Sequence, residues 1–164
     1  MSTGSGDEWY CLFNLAGAVL KGFDHESPMS PWASDERAVW KGVLDQVPRV
    51  FQSSLKEPAF DIDNTTFCLW RRHEDHVWHG GRIEFPDGSK DPDGSAWMLE
   101  LLDGEPASYK RWASEYYERP VSLNAVQRVY SHQALTESLA RELNPSVQFE
   151  ALLADAAQIG YPAV

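Results

Sequence analysis

Cysteine is scarce in this chain, with only Cys11 and Cys68 among 164 residues. Two thiols, each inside an apolar run, cannot build a disulfide scaffold or a four-cysteine zinc site. They read as reduced and buried. Basic charge is also in short supply, since 14 Lys and Arg stand against 25 Asp and Glu and leave a net charge of −11. The field of such a surface repels phosphate backbones and anionic membranes, so it disfavours generic nucleic-acid binding and favours a basic protein partner. Long apolar runs are missing as well. The stretch Trp9 to Leu20 is too short to span a bilayer and is broken by Asn14 and Gly17. Asp7 and Glu8 sit where a signal peptide requires lysine or arginine. The expectation is a cytoplasmic, bacterial-type protein with no nucleic-acid and no membrane partner.

Short catalytic signatures are lacking too. There is no P-loop, no G-x-G-x-x-G, no Cys-x-x-Cys and no zincin helix, and His73-Glu74-Asp75-His76 is one residue short of HExxH. Catalysis survives that absence, because many active sites assemble from residues distant in sequence.

What the chain does contain is core material. Hydrophobic residues make up 43% and aromatics 12%, with seven Trp, far above the composition of a disordered chain. Residues 1–8 read as a flexible leader and 9–164 as one domain. Trp9 to Phe23 reads as strand–turn–strand, because Gly17 and Gly22 would each cost a helix about 1 kcal/mol. Ser34 to Gln46 holds a candidate helix capped by Ser34, and a second starts near Val47 and stops before Pro58. Asn64 to Phe85 reads as a β-hairpin.

The second half is mostly helical. Ser95 can cap a helix carrying Trp97, Leu99, Leu101 and Leu102. Tyr109, Trp112, Ala113 and Tyr116 form a stripe at helical spacing after Pro106. Val121 to Tyr130 fits strand or helix. Thr136 caps a further helix, and Pro145 opens a last one whose inner face includes Leu152, Ala156 and Ile159. The expected fold is α+β: an antiparallel sheet built mainly from the first half, including the hairpin near 64–85, with helices from the second half packed on one face.

Four groups of residues carry candidate chemistry. His73, His76 and His79 lie within seven residues of one another at the hairpin bend, where a divalent metal is the one cofactor to consider. With a turn centred on Glu74-Asp75, Trp70 faces His79, and Cys68, Trp70, Val77, Ile83 and Phe85 share a face. A three-residue loop at Glu74-Asp75-His76 slips the pairing by one residue and exchanges the faces. Odd spacing on a strand argues against a shared metal, and a solvated hairpin tip is the competing reading.

The second group is Asp24-His25-Glu26-Ser27, which holds the types for acid–base work, with His25 as base, Asp24 or Glu26 orienting it, and His79 or Arg82 free for an anionic group. The bland alternative is a turn in which Asp24 or Ser27 bonds backbone amides. Third, Asp87, Ser89, Asp91 and Asp93 mimic a calcium loop, but Pro92 and Met98 occupy the positions that need Gly and Glu. Fourth, Tyr116 and Tyr117 are adjacent and cannot both be buried on one helix face. With Trp78 and Arg82, they are candidate interface residues.

The leading expectation is an acidic protein-binding module of immunity or adaptor type with a basic partner. The alternatives are a small hydrolase-like enzyme at the His25 loop and a metal- or small-ligand-binding module at the 73–79 histidines.

Overall fold

Two mostly apolar runs on either side of the Asn14–Gly17 turn form a hairpin. The computed structural model describes residues 4–164, and in it strand β1 (Glu8–Asn14) pairs antiparallel with β2 (Gly17–Phe23). Asn14 helps close the two-residue turn, because its Oδ1 accepts from the Ala16 amide at 2.8 Å. Glu8, counted with the leader on sequence grounds, opens β1. Strand β3 (Phe67–Arg72) adds to β2, and the short β4 (His79–Gly80) adds to β3. The sheet is antiparallel, in the order β1-β2-β3-β4. The fold is α+β, with the sheet drawn from the first half and most helices from the second.

The chain divides into two compact units, residues up to Glu100 and residues from Leu101 on. In the first unit the sheet is covered on both faces. Val19, Cys68 and Trp70 point to one side and meet Met29, Val43, Val47, Phe51 and Phe60. Leu20 and Phe67 point to the other and meet Met98 from helix α2 (Ser95–Met98). Both cysteines are unpaired; Cys68 is 1% exposed, and burial pushes its thiol pKa up to about 12.

The hairpin takes the register that sets Trp70 opposite His79. Its face is only partly realised. Cys68, Trp70 and Ile83 pack into the core, whereas Val77 and Phe85 are exposed. Pairing stops after Gly80 because Gly81 and Gly42 approach backbone to backbone. A Cβ on Gly81 would overlap the Gly42 carbonyl, and one on Gly42 the Arg82 carbonyl. The chain therefore leaves β3 and runs against the 40–45 segment, where Trp40 Nε1 donates to the Glu84 carbonyl at 3.0 Å.

Several expected helices change shape. No helix forms over Ser34–Gln46. Arg37 and Gln46 adopt left-handed backbone angles, and the Arg37 guanidinium lies 4.3 Å from the Trp32 ring centroid, so a local stacking contact replaces a helical turn. The following helix shrinks to α1 (Arg49–Gln52). Helix α2 starts one residue earlier than a Ser95 cap implies, with Gly94 in the cap position. Its first amides are held by Asp93 (Ser95 N–H, 2.9 Å) and Asp91 (Ala96 and Trp97 N–H, 3.1 and 2.9 Å). Asp91 and Asp93 of the calcium-like pattern thus serve the helix start.

The second unit contains α3 (Pro106–Tyr116), α4 (Leu123–Tyr130), α5 (Glu137–Leu143) and α6 (Phe149–Gln158). Ser122 and Thr136 cap α4 and α5 through their hydroxyls, so the ambiguous stretch from Val121 is helix from Leu123 to Tyr130. The last helix begins at Phe149 rather than Pro145, after a turn in which Asn144 Oδ1 accepts from the Ser146 amide and hydroxyl. Ala125, Leu135, Leu139, Ala140 and Ala156 form its core. Ile159, expected inside, is 79% exposed, because the helix has ended at Gln158.

Candidate functional site

The sheet register positions the His25 loop. Because Glu8 pairs with Phe23, the preceding residue, Asp7, meets the chain where it leaves β2 at Asp24 and His25. Asp7 is 5% exposed. Its Oδ1 accepts from the His25 backbone amide at 3.1 Å and lies 2.6 Å from His25 Nδ1, while Ser5 Oγ donates to Oδ2 at 3.0 Å. The hydrogen bond to Asp7 raises the His25 pKa above its ordinary value, with partial desolvation opposing it and the Asp7 charge adding to the rise. The imidazole side chain is 41% exposed, and its Nε2 is 3.8 Å from a Glu26 carboxylate oxygen.

Asp24 and Ser27 do other work. Asp24 Oδ1 accepts from the Glu26 amide at 2.9 Å, and Oδ2 accepts from Trp97 Nε1 at 3.0 Å. Ser27 Oγ donates to the Pro92 carbonyl at 2.6 Å and accepts from the Met29 amide at 2.9 Å. Between them, Thr66 Oγ1 receives the Asp24 amide and donates to the Asp93 carbonyl. These are turn-forming and loop-stitching roles. Asp7, not Asp24 or Glu26, orients the imidazole. With the Ser27 hydroxyl committed to Pro92, the group can exchange a proton at Nε2 but has no nucleophile of its own.

Among the described residues, one set of three or more metal-ligating side chains gathers its ligand atoms within 4.8 Å, namely Asp7, Asp24 and His25. A cation there would have to displace the Asp7–His25 hydrogen bond. His73, His76 and His79 do not form such a set; all are exposed, and His79 Nε2 lies 3.6 Å from Asp75. His79 is also far from His25. It pairs with Trp70, which faces Val19, so four strand steps of β2, about 13 Å, separate its level from the strand end at Phe23, beyond which His25 lies. The sequence-level pairing of His25 with His79 is therefore not formed.

The second group lies on α3. Residues three and four apart on a helix are neighbours, and here the rings meet: Tyr109 and Trp112 are tilted with centroids 5.7 Å apart, and Trp112 and Tyr116 stack at 5.0 Å and 17°. Tyr117 meets Trp112 and Tyr116 edge-on, and Tyr130 of α4 meets Tyr109. Tyr116 is 68% exposed and Tyr117 51%. The Arg119 guanidinium already lies 5.8 Å from the Tyr117 centroid, and Glu115 and Glu118 are exposed beside the rings. Trp78 and Arg82 are exposed on the hairpin segment of the other unit. This face is a row of π-surfaces with Glu115 and Glu118 as its sequence neighbours.

Sequence reasoning identified Tyr116 and Tyr117 from their adjacency. It missed Asp7 because a carboxylate 18 positions from His25 becomes its neighbour only once the β1–β2 register is known. It missed Trp97 as the partner of Asp24 for the same reason. No helix among the described residues is long and apolar enough to cross a membrane. Comparison with protein-family models, with curated proteins and with solved structures gives no match to this chain.

Proposed function

We propose that the protein is a binding module for a basic protein segment, and that the aromatic face of α3 receives it. The observation that carries this reading is the stacked Trp112–Tyr116 pair with Tyr117 on its edge, exposed and flanked by Glu115 and Glu118. Ring faces attract guanidinium and ammonium groups, and a desolvated contact of this kind is worth about 0.5–2 kcal/mol. The C-terminal turn of α3 adds the negative end of the helix dipole and holds no basic residue of its own. At a net charge of −11, the long-range field speeds encounter with a cation-rich partner.

An arginine-rich peptide titrated into labelled protein, followed by NMR, tests the reading. Shifts should concentrate on α3 and weaken at high salt, and Tyr116→Ala with Tyr117→Ala should reduce affinity about tenfold or more. Shifts spread evenly over the acidic surface, unchanged by the double substitution, would sink it.

A second reading has one specific observation in its favour. The 2.6 Å contact of Asp7 with His25 Nδ1 orients an imidazole with Nε2 on the accessible side, the arrangement a general acid–base residue uses.

A further inference from the structure

One cavity in the first unit inverts the sign of this acidic protein. It has a volume of about 450 Å³ and lies at the end of the sheet where the β1–β2 turn, the start of α1 and the end of β3 come together. That volume is typical of small-molecule sites. Arg49 enters from α1, Arg72 from the last position of β3, and His73 from the residue after it. The three segments are tied in place: the His73 amide donates to the Ala16 carbonyl at 2.9 Å, and Asn14 Nδ2 donates to the Val50 carbonyl at 3.3 Å. Leu15, which is 98% exposed, lines the opening with Ala16, Pro48 and Val50, and Glu74 is the one carboxylate in the lining, against two guanidiniums.

The cations here are poorly neutralised. Among the described residues, the Arg49 and His73 side chains have no hydrogen bond or ion pair, and the Arg72 guanidinium has only a 3.7 Å contact with Glu74. Like charges held together repel, and an anion that fills the space between them removes that cost. Arg49 and Arg72 are 23 positions apart, so the sequence offers only Arg71-Arg72, whose side chains diverge on the strand. Arg71 in fact turns away, its Nε donating to the Asp75 carbonyl at 2.9 Å.

We propose that this cavity binds an oxyanion carried on an apolar body, with a phosphate monoester as the ligand class. Arg49 and Arg72 each present a planar fork of donors, and His73 adds a third direction. Two guanidiniums and an imidazole lining one cavity supply enough donors for the three terminal oxygens of a phosphate, more than the two of a carboxylate require. The apolar body lies against Leu15 and Val50. The site is independent of the α3 face.

Calorimetric titration of the full chain with phenyl phosphate, benzoate and inorganic phosphate tests the proposal. Phenyl phosphate should bind more tightly than either of the others. Arg49→Gln and Arg72→Gln should each weaken it about tenfold, with circular dichroism and melting unchanged because both residues are exposed. Arg71→Gln should leave binding as it was. Benzoate binding more tightly than phenyl phosphate would overturn the assignment to phosphate monoesters. No heat with either organic anion would overturn the proposal. So would equal weakening by Arg71→Gln, because the attraction would then be diffuse charge.

Discussion

Lys21 is fully buried, and its Nζ has no hydrogen-bond partner among the described residues. The nearest carboxylate oxygen, on Glu8, is 3.8 Å away. Burial lowers the ammonium's pKa, and the Glu8 charge partly restores it. An unsatisfied buried donor costs about 1–3 kcal/mol. Lys21→Met fills the same volume without that cost and should raise the unfolding free energy by a similar amount in urea titrations. A variant less stable than the parent would mean that the Glu8 pair outweighs desolvation. His25 poses the opposite case, because Asp7 raises its pKa. Its contribution to stability is therefore complete below the unfolded value of about 6.5 and is lost as pH rises through the higher folded value. Asp7→Asn should move the NMR titration midpoint of His25 down towards about 6.5. An unmoved midpoint would remove the basis for acid–base chemistry at this residue.

At the level of elements, Gly22 shows how the sheet admits a bulky neighbour. It pairs with Phe67 across β2–β3, and a Cβ there would overlap the Phe67 ring. Gly22→Ala should therefore displace the ring and cost about 1–3 kcal/mol, measured as a lower denaturation midpoint. A neutral result would mean that the ring can step aside. The same glycine marked this stretch as strand rather than helix in the sequence, as Thr136 marked a helix start. The hairpin register was legible only as two alternatives, because both place apolar residues on one face. The choice between them, and the early end of β4, depend on Gly42 meeting Gly81, a contact between positions 39 residues apart. The missing helix over 34–46 was illegible for a related reason: the stacking of Arg37 on Trp32 outweighs a weak local preference for helix. Asp7 and Arg49 escaped notice because each gains its meaning from a neighbour on another element.

For the whole molecule, the net charge of −11 is the premise on which the proposed basic partner rests. The α3 rings and the Arg49–Arg72 cavity belong to different compact units, so one chain presents two kinds of charge to its surroundings. Burial also shapes how the protein meets reagents. Cys68 is 1% exposed, and its thiol pKa is pushed up to about 12. Alkylation requires the thiolate, so iodoacetamide at neutral pH should leave Cys68 untouched in the native protein and modify it fully in denaturant, as read by mass spectrometry of peptides. Rapid native modification would contradict the packing of β3. That masked sulfur works as a built-in clock, since the pace at which it becomes labelled reports how often the sheet breathes open, with no probe added to the chain.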